Sequence, residues 1–114
     1  MMRAKTGKAV ARREGVKPMI IVSVNGKEIS MSGHAGYADR GSDIVCAGAT
    51  ALVQTLIGSF DITGDTPGME IMPGHFRINT EELTENGKLL IKFFMKGLES
   101  IEEEFPGNLR IYTT

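Results

Sequence analysis

The sequence contains no tryptophan and a single cysteine, Cys46, so no disulfide framework can staple it and the fold must rest on packing. A lone thiol fits a reducing compartment. No stretch approaches the roughly 20 apolar residues that span a bilayer. No basic region leads into the apolar core of a secretory signal either. A cytoplasmic protein without a membrane part is therefore expected. Internal repeats and low-complexity segments are also missing. What the chain does have is 114 residues, 41% of them apolar, which suits one compact domain with a modest core. Seven methionines and five phenylalanines join the aliphatic residues in filling it.

The net charge of −1 conceals an asymmetry. Residues 1–18 hold six of the thirteen basic side chains (Arg3, Lys5, Lys8, Arg12, Arg13 and Lys17) and one acid, Glu14. Residues 19–114 are left with seven basic and thirteen acidic side chains. A basic arm on an acidic body can be drawn to nucleic acid or to a ribosome surface by counterion release. The arm has no aromatic residue to stack on bases, which argues against direct nucleic-acid binding. A solvated, loose terminus over 1–18, followed by one domain over 19–114, is the simpler expectation.

After Pro18, the run Met19 to Val24 is rich in β-branched residues and predicts a strand. Asn25-Gly26 signals a hairpin, because both residues tolerate positive φ. The return strand, Lys27 to Ser32, alternates Ile29 and Met31 with polar residues, so one face is expected to be buried. Gly33 to Ser42 shows no periodicity and predicts a mobile loop. From Asp43, a plausible N-cap, Val45, Ala49, Leu52, Leu56 and Phe60 recur at helical spacing, with Gly58 near the expected end. Asp61 to Gly68 is turn chemistry. Met69 to Met72 and His75 to Asn79 predict a second hairpin around Pro73-Gly74. Leu90, Phe94, Leu98, Ile101 and Phe105 predict a second helix, with Glu99 to Glu104 as a solvated face and Pro106-Gly107 as its stop. Gly97 within it costs about 1 kcal/mol relative to alanine. Leu109 to Tyr112 can supply a last strand. The class is α+β, ordered β-β-α-β-β-α-β, with an antiparallel or mixed sheet and two helices packed on one face.

Three side chains are plausible nucleophiles or imidazole bases: His34, Cys46 and His75. His34 lies where a strand gives way to a glycine-rich loop, a position suited to function. Cys46 falls three residues after the proposed cap, in the expected first turn, where free N–H groups and the helix macrodipole stabilise a thiolate. A thiolate beside an imidazole is the arrangement of cysteine hydrolases. Against it, a cysteine between Val45 and Ala47 can be a small buried hydrophobe, and a histidine beside glycine a turn residue. Glycines at 33, 36 and 41 would let a substrate backbone approach closely. His75 is expected in a structural or dimer-contact role. His34, Cys46 and His75 do not make the four-ligand set of a structural zinc site, so neither metal nor cofactor is expected.

Gly33-His34-Ala35-Gly36-Tyr37-Ala38, followed by Gly41-Ser42-Asp43-Ile44-Val45-Cys46-Ala47-Gly48-Ala49, resembles the signature of the ribosomal-processing cysteine protease Prp family. The resemblance continues through Gly74-His75-Phe76 and Ile101-Glu102-Glu103-Glu104-Phe105 and covers about residues 19–114. It implies a homodimeric α+β endopeptidase of bacteria or phage. Such enzymes remove a short N-terminal extension from ribosomal large-subunit protein twenty-seven, or from a phage capsid or scaffold protein, after a hydrophobic segment ending in Phe-Phe. It implies His34 as base, Cys46 as nucleophile and Asp43 as cap or orienter. Thr50 stands where the family commonly has serine, one supporting hydroxyl for another. Gly33, Ala35, Gly36, Tyr37 and Gly41 would belong to the substrate loop. The oxyanion donors expected are the amide of Cys46 and a loop amide near Ala35. This chain's own Phe93-Phe94 lies in the second predicted helix and is expected to be protected by packing. The basic arm falls outside the pattern. The rival readings are a non-enzymatic ribosome-assembly or ribosomal RNA-binding factor using that arm, and a metal-site protein.

Overall fold

The structure, a computed structural model, describes residues 19–33 and 40–114, with the backbone alone described over 40–43. The elements run β1 (Ile20–Val24), β2 (Glu28–Ser32), α1 (Arg40–Thr63), β3 (Met69–Met72), β4 (His75–Asn79), α2 (Glu85–Glu104) and β5 (Leu109–Thr113). They form an α+β fold around a five-stranded mixed sheet ordered β3-β4-β2-β1-β5. Three pairings are antiparallel, and β5 runs parallel to β1. Element order and class match the expectation from the sequence. The basic arm over 1–18 lies outside the described residues.

Strand alternation sorts the sheet into two faces. Ile20, Val22, Ile29, Met31, Phe76, Ile78 and Leu109 are buried on one of them, under Val45, Ala49, Leu56 and Phe60 of α1 and Phe94 and Leu98 of α2. Fully burying each large side chain in this set contributes roughly 1.5–3 kcal/mol. Phe76 and Phe94 meet edge to face, with ring centroids 6.3 Å apart. The other face carries Glu28, Glu70, His75 and Arg77, where Arg77 Nη2 pairs with Glu70 Oε2 at 2.8 Å. That exposed ion pair adds little stability.

Several local expectations give way to longer-range packing. The first hairpin forms, but Gly26 does not use positive φ. Asn25 Oδ1 instead accepts the N–H groups of Lys27 and Glu28 at 2.7 and 2.9 Å, an Asx turn that places Gly26-Lys27 at the tip. Helix α1 begins at Arg40, so Arg40 to Ser42 are helical rather than loop and Asp43 is not the N-cap. The helix also runs past Gly58 to Thr63, because Phe60 is drawn into the core. Gly64, at φ 81°, ends it by donating its N–H to the Phe60 carbonyl at 2.8 Å. By length and composition Ile44–Thr63 could cross a membrane, with mean hydropathy 1.4, which the sequence reading did not anticipate. A core helix passes the same test, and this one gives Val45, Ala49, Leu56 and Phe60 to the core.

Adjacent residues on a helix diverge by about 100°, and that separates the paired phenylalanines. Phe94 is 4% exposed, whereas Phe93 is 63% exposed and so is not protected by packing. Glu102 is likewise not merely solvated. Its Oε2 accepts the Ile111 N–H at 2.9 Å and ties α2 to the edge strand β5.

The helices run antiparallel, since a Cβ on Gly48 would touch Ile101 and one on Gly97 would press into Leu52. Their connected ends are joined by Asp65. Its carboxylate accepts Thr63 Oγ1 at 2.6 Å, Thr84 N at 2.7 Å and Thr84 Oγ1 at 2.8 Å. Thr84 is also the N-cap of α2, its Oγ1 accepting the Gly87 N–H at 3.0 Å. The Thr63 hydroxyl foremost, with the Thr84 amide, holds the Asp65 pKa below its ordinary 3.8, although burial pulls the other way. A depressed carboxylate pKa contributes stability above the unfolded value and loses it as pH falls through the folded one. Asp65→Asn is therefore expected to lower Tm at neutral pH, and the gap from wild type should close as pH drops below about 4. Gly87→Ala would gain up to about 1 kcal/mol in helix propensity. It should nevertheless lower Tm, because its Cβ would fall on the Asp65 carboxylate. A Tm at or above wild type would show that the carboxylate is free to move.

Candidate functional site

Cys46 is the seventh residue of α1, one turn deeper than the sequence suggested. Its amide belongs to the helical ladder, and the free N–H groups of the helix end lie upstream of it. The expected first-turn placement and the use of the Cys46 amide as an oxyanion donor are therefore not supported. Gly41 likewise sits in the first turn of α1 rather than in a loop. The backbone of Asp43 is helical, one turn before Cys46.

Cys46 is half-buried and borders an apolar cavity of about 300 Å³. One wall is α1, which presents Cys46, Thr50, Val53 and Ile57 at spacings of four, three and four. The opposite side is sheet, with Met31 of β2, Phe76 of β4 and Ile71 of the edge strand β3. Gly33 closes one end. The structure thus brings together Cys46, Thr50, Gly33 and His75 at one cavity, among the residues singled out from the sequence. His34, Ala35, Gly36 and Tyr37 lie outside the described residues. The cavity walls escaped the sequence reading, although the spacing 46, 50, 53, 57 marks a second apolar stripe on α1 beside the core stripe.

Gly33 is required to be glycine for two reasons. Its φ is 105°, and a Cβ there would collide with the Met19 carbonyl. Its N–H donates to the Gly74 carbonyl at 3.0 Å, which ties β2 to the β3–β4 turn at the cavity rim. Gly74 itself, at φ 75°, supplies the left-handed position after Pro73.

His75 follows that turn and borders the same cavity as Cys46, while alternation places its ring on the face opposite Phe76. There its Nε2 lies 3.4 Å from Glu70 Oε1. Among the described residues, no three His, Cys, Asp or Glu side chains are close enough to hold a metal ion.

Gly33→Ala is expected to cost about 1–3 kcal/mol through backbone strain. Urea unfolding measures it, and an unchanged midpoint would mean that the β2 end shifts freely.

The family model described as "Cysteine protease Prp" matches residues 19–110. The ribosomal processing cysteine protease Prp of Staphylococcus aureus strain Mu50 is 34% identical over 101 residues, spanning 81% of this chain and 92% of that one. The protein of the same name from Bacillus subtilis strain 168 is 34% identical over 91 residues, spanning 73% and 81%. The crystal structure of the S. aureus protease with a covalently linked product peptide superposes with a TM-score of 0.71 at 28% identity, covering 85% of this chain and 99% of that one. The match takes in the whole sheet except the last residues of β5, both helices and the Cys46 cavity, and the chain belongs to the cysteine protease Prp family.

Proposed function

We propose that this chain is an endopeptidase that removes a short N-terminal extension from ribosomal large-subunit protein twenty-seven, with Cys46 as nucleophile and His34 as base. The observation that carries this reading is the position of Cys46. It is the only cysteine of a cysteine-protease family member, and it opens on an apolar cavity large enough for aromatic side chains. His34 is bonded to Gly33, which borders the same cavity. Thr50, one turn beyond Cys46 on the cavity wall, is the supporting hydroxyl. Asp43 is the orienting carboxylate. The name of the staphylococcal and bacillar relatives supports a ribosomal substrate.

In this mechanism His34 takes the thiol proton of Cys46, and the thiolate attacks the scissile carbonyl. The C–N bond breaks as His34 returns the proton to the leaving amine. Water then hydrolyses the thioester and regenerates the thiol. A loop amide near Ala35 is the oxyanion donor. Ala35, Gly36 and Tyr37 contribute to substrate recognition in the same reading. The same reading takes the enzyme as a cytoplasmic homodimer, and exposed Ile44, Ile62, Leu89 and Phe93 outside the cavity supply apolar surface for a second subunit.

Cys46→Ala should abolish cleavage of a peptide carrying an apolar segment that ends in Phe-Phe, without changing Tm. His34→Ala should lower kcat by about 100-fold or more while peptide binding persists. Turnover by Cys46→Ala above the uncatalysed rate would rule out the thiol mechanism. Replacing both phenylalanines by alanine should lower kcat/KM by orders of magnitude, since each aromatic anchor can contribute about 2 kcal/mol or more. Equal turnover of the two peptides would leave a hydrolase of different specificity.

A further inference from the structure

The two edges of the sheet are finished differently. At β5 the outward N–H of Ile111 is occupied by the Glu102 carboxylate, so that edge is partly closed. Nothing comparable occurs at β3 among the described residues. There the Asn79 N–H donates to the Gly68 carbonyl at 2.9 Å, which makes these two residues a hydrogen-bonded pair. Antiparallel neighbours alternate between bonded and non-bonded pairs. With Met69 opposite Ile78, Glu70 opposite Arg77, Ile71 opposite Phe76 and Met72 opposite His75, Glu70 and Met72 bond to β4. The N–H and C=O groups of Met69 and Ile71 consequently point away from the sheet.

The same two residues direct their side chains to the helix side, because their partners Ile78 and Phe76 are buried there. Among the described residues no helix covers them. Ile71 is 58% exposed and borders the Cys46 cavity. Met72 is 54% exposed, and Glu70 is the only charge on the strand. Natural proteins usually blunt a bare apolar edge of this kind with lysine, proline, a bulge or a covering segment. Among the described residues nothing covers this edge where it flanks the candidate nucleophile.

We infer that β3 binds an extended apolar peptide as a sixth strand, through the outward main-chain groups of Met69 and Ile71, so that alternate peptide side chains enter the cavity beside Cys46. The inference rests on the protease reading above for the identity of the peptide as substrate. An added strand lies about 4.8 Å from β3, and its same-face side chains are about 7 Å apart. Main-chain bonds then supply sequence-independent affinity, and the cavity selects apolar side chains at every second position. The intervening side chains face the open side of the sheet near Glu70 and are weakly selected. The bonds to β3 also hold the peptide extended, with its backbone accessible to the thiol.

The test reads binding and chemistry separately. A fluorescent, N-terminally acetylated apolar hexapeptide amide ending in Phe-Phe is titrated with the Cys46→Ala protein and followed by anisotropy. Six versions, each N-methylated at one backbone position, are compared with the parent. Losing a main-chain bond and crowding the edge should weaken binding by about tenfold at alternate positions and little at those between. Ile71→Pro removes an outward N–H without touching a ladder bond, a substitution that edge strands tolerate. It should weaken the parent peptide by a similar factor, whereas Ile71→Val, which keeps the N–H, should bind like wild type. Thermal unfolding checks that the proline variant folds, and if it does not, the N-methyl series decides alone. Losses without alternation, a folded proline variant that binds normally, or no binding of the parent peptide would overturn the inference. Cleavage of the parent by wild-type protein is scored independently. Alternating binding without cleavage would remove the protease reading and keep the β3 site, and cleavage without alternation would do the reverse.

Discussion

Asp65 occupies the place where α1 has ended and α2 is about to begin, and its carboxylate is shared between Thr63 of one helix and Thr84 of the other. The contact does more than terminate a helix. By seating the N-cap of α2 against the last turn of α1, it sets the start of an antiparallel pairing that continues through Leu52 beside Gly97 and Gly48 beside Ile101. Small residues at those crossings let the two helices lie close enough to cover one face of the sheet together. The orientation of α1 about its own axis follows, and with it the direction in which Cys46 points.

A two-helix layer lying against β1, β2, β4 and β5 leaves β3 beyond its reach, and the cavity is the result. The stripe of α1 that carries Cys46, Thr50, Val53 and Ile57 faces the uncovered strand across an apolar gap, while the neighbouring stripe carries the core. Two stripes so close together make α1 apolar around much of its circumference, which explains why its composition resembles that of a membrane span. The glycine at 33 and the Pro73-Gly74 turn hold the end of the gap in shape, joined by one main-chain hydrogen bond.

Membership in the Prp family and the geometry of the cavity carry different parts of the functional argument. The family supplies the class of chemistry, cysteine proteolysis, across nearly the whole described chain. The geometry supplies the setting of the thiol: the second turn of a helix wall rather than its first, facing a sheet edge. An interior helical position leaves the activation of Cys46 to neighbouring groups rather than to free helix-terminal amides. In the proposed mechanism that task falls to His34.

Local patterning was enough to read the number, order and kind of the elements. Period-two burial in β1, β2 and β4, period-3.6 burial in the helices and the Pro73-Gly74 turn are all properties of neighbouring residues. The motif around Cys46 was legible for the same reason. The boundaries of α1 were not, because Arg40 to Ser42 join the helix and it runs on through Asp61 to Thr63, where Gly64 takes the left-handed position. Nor was the fate of Phe93 or Glu102 legible, since each depends on what lies opposite across a helix or strand. The walls of the cavity and the bare edge at β3 belong to no segment by themselves. Which residues are left uncovered depends on where two helices come to rest on a sheet, and long-range packing alone decides that.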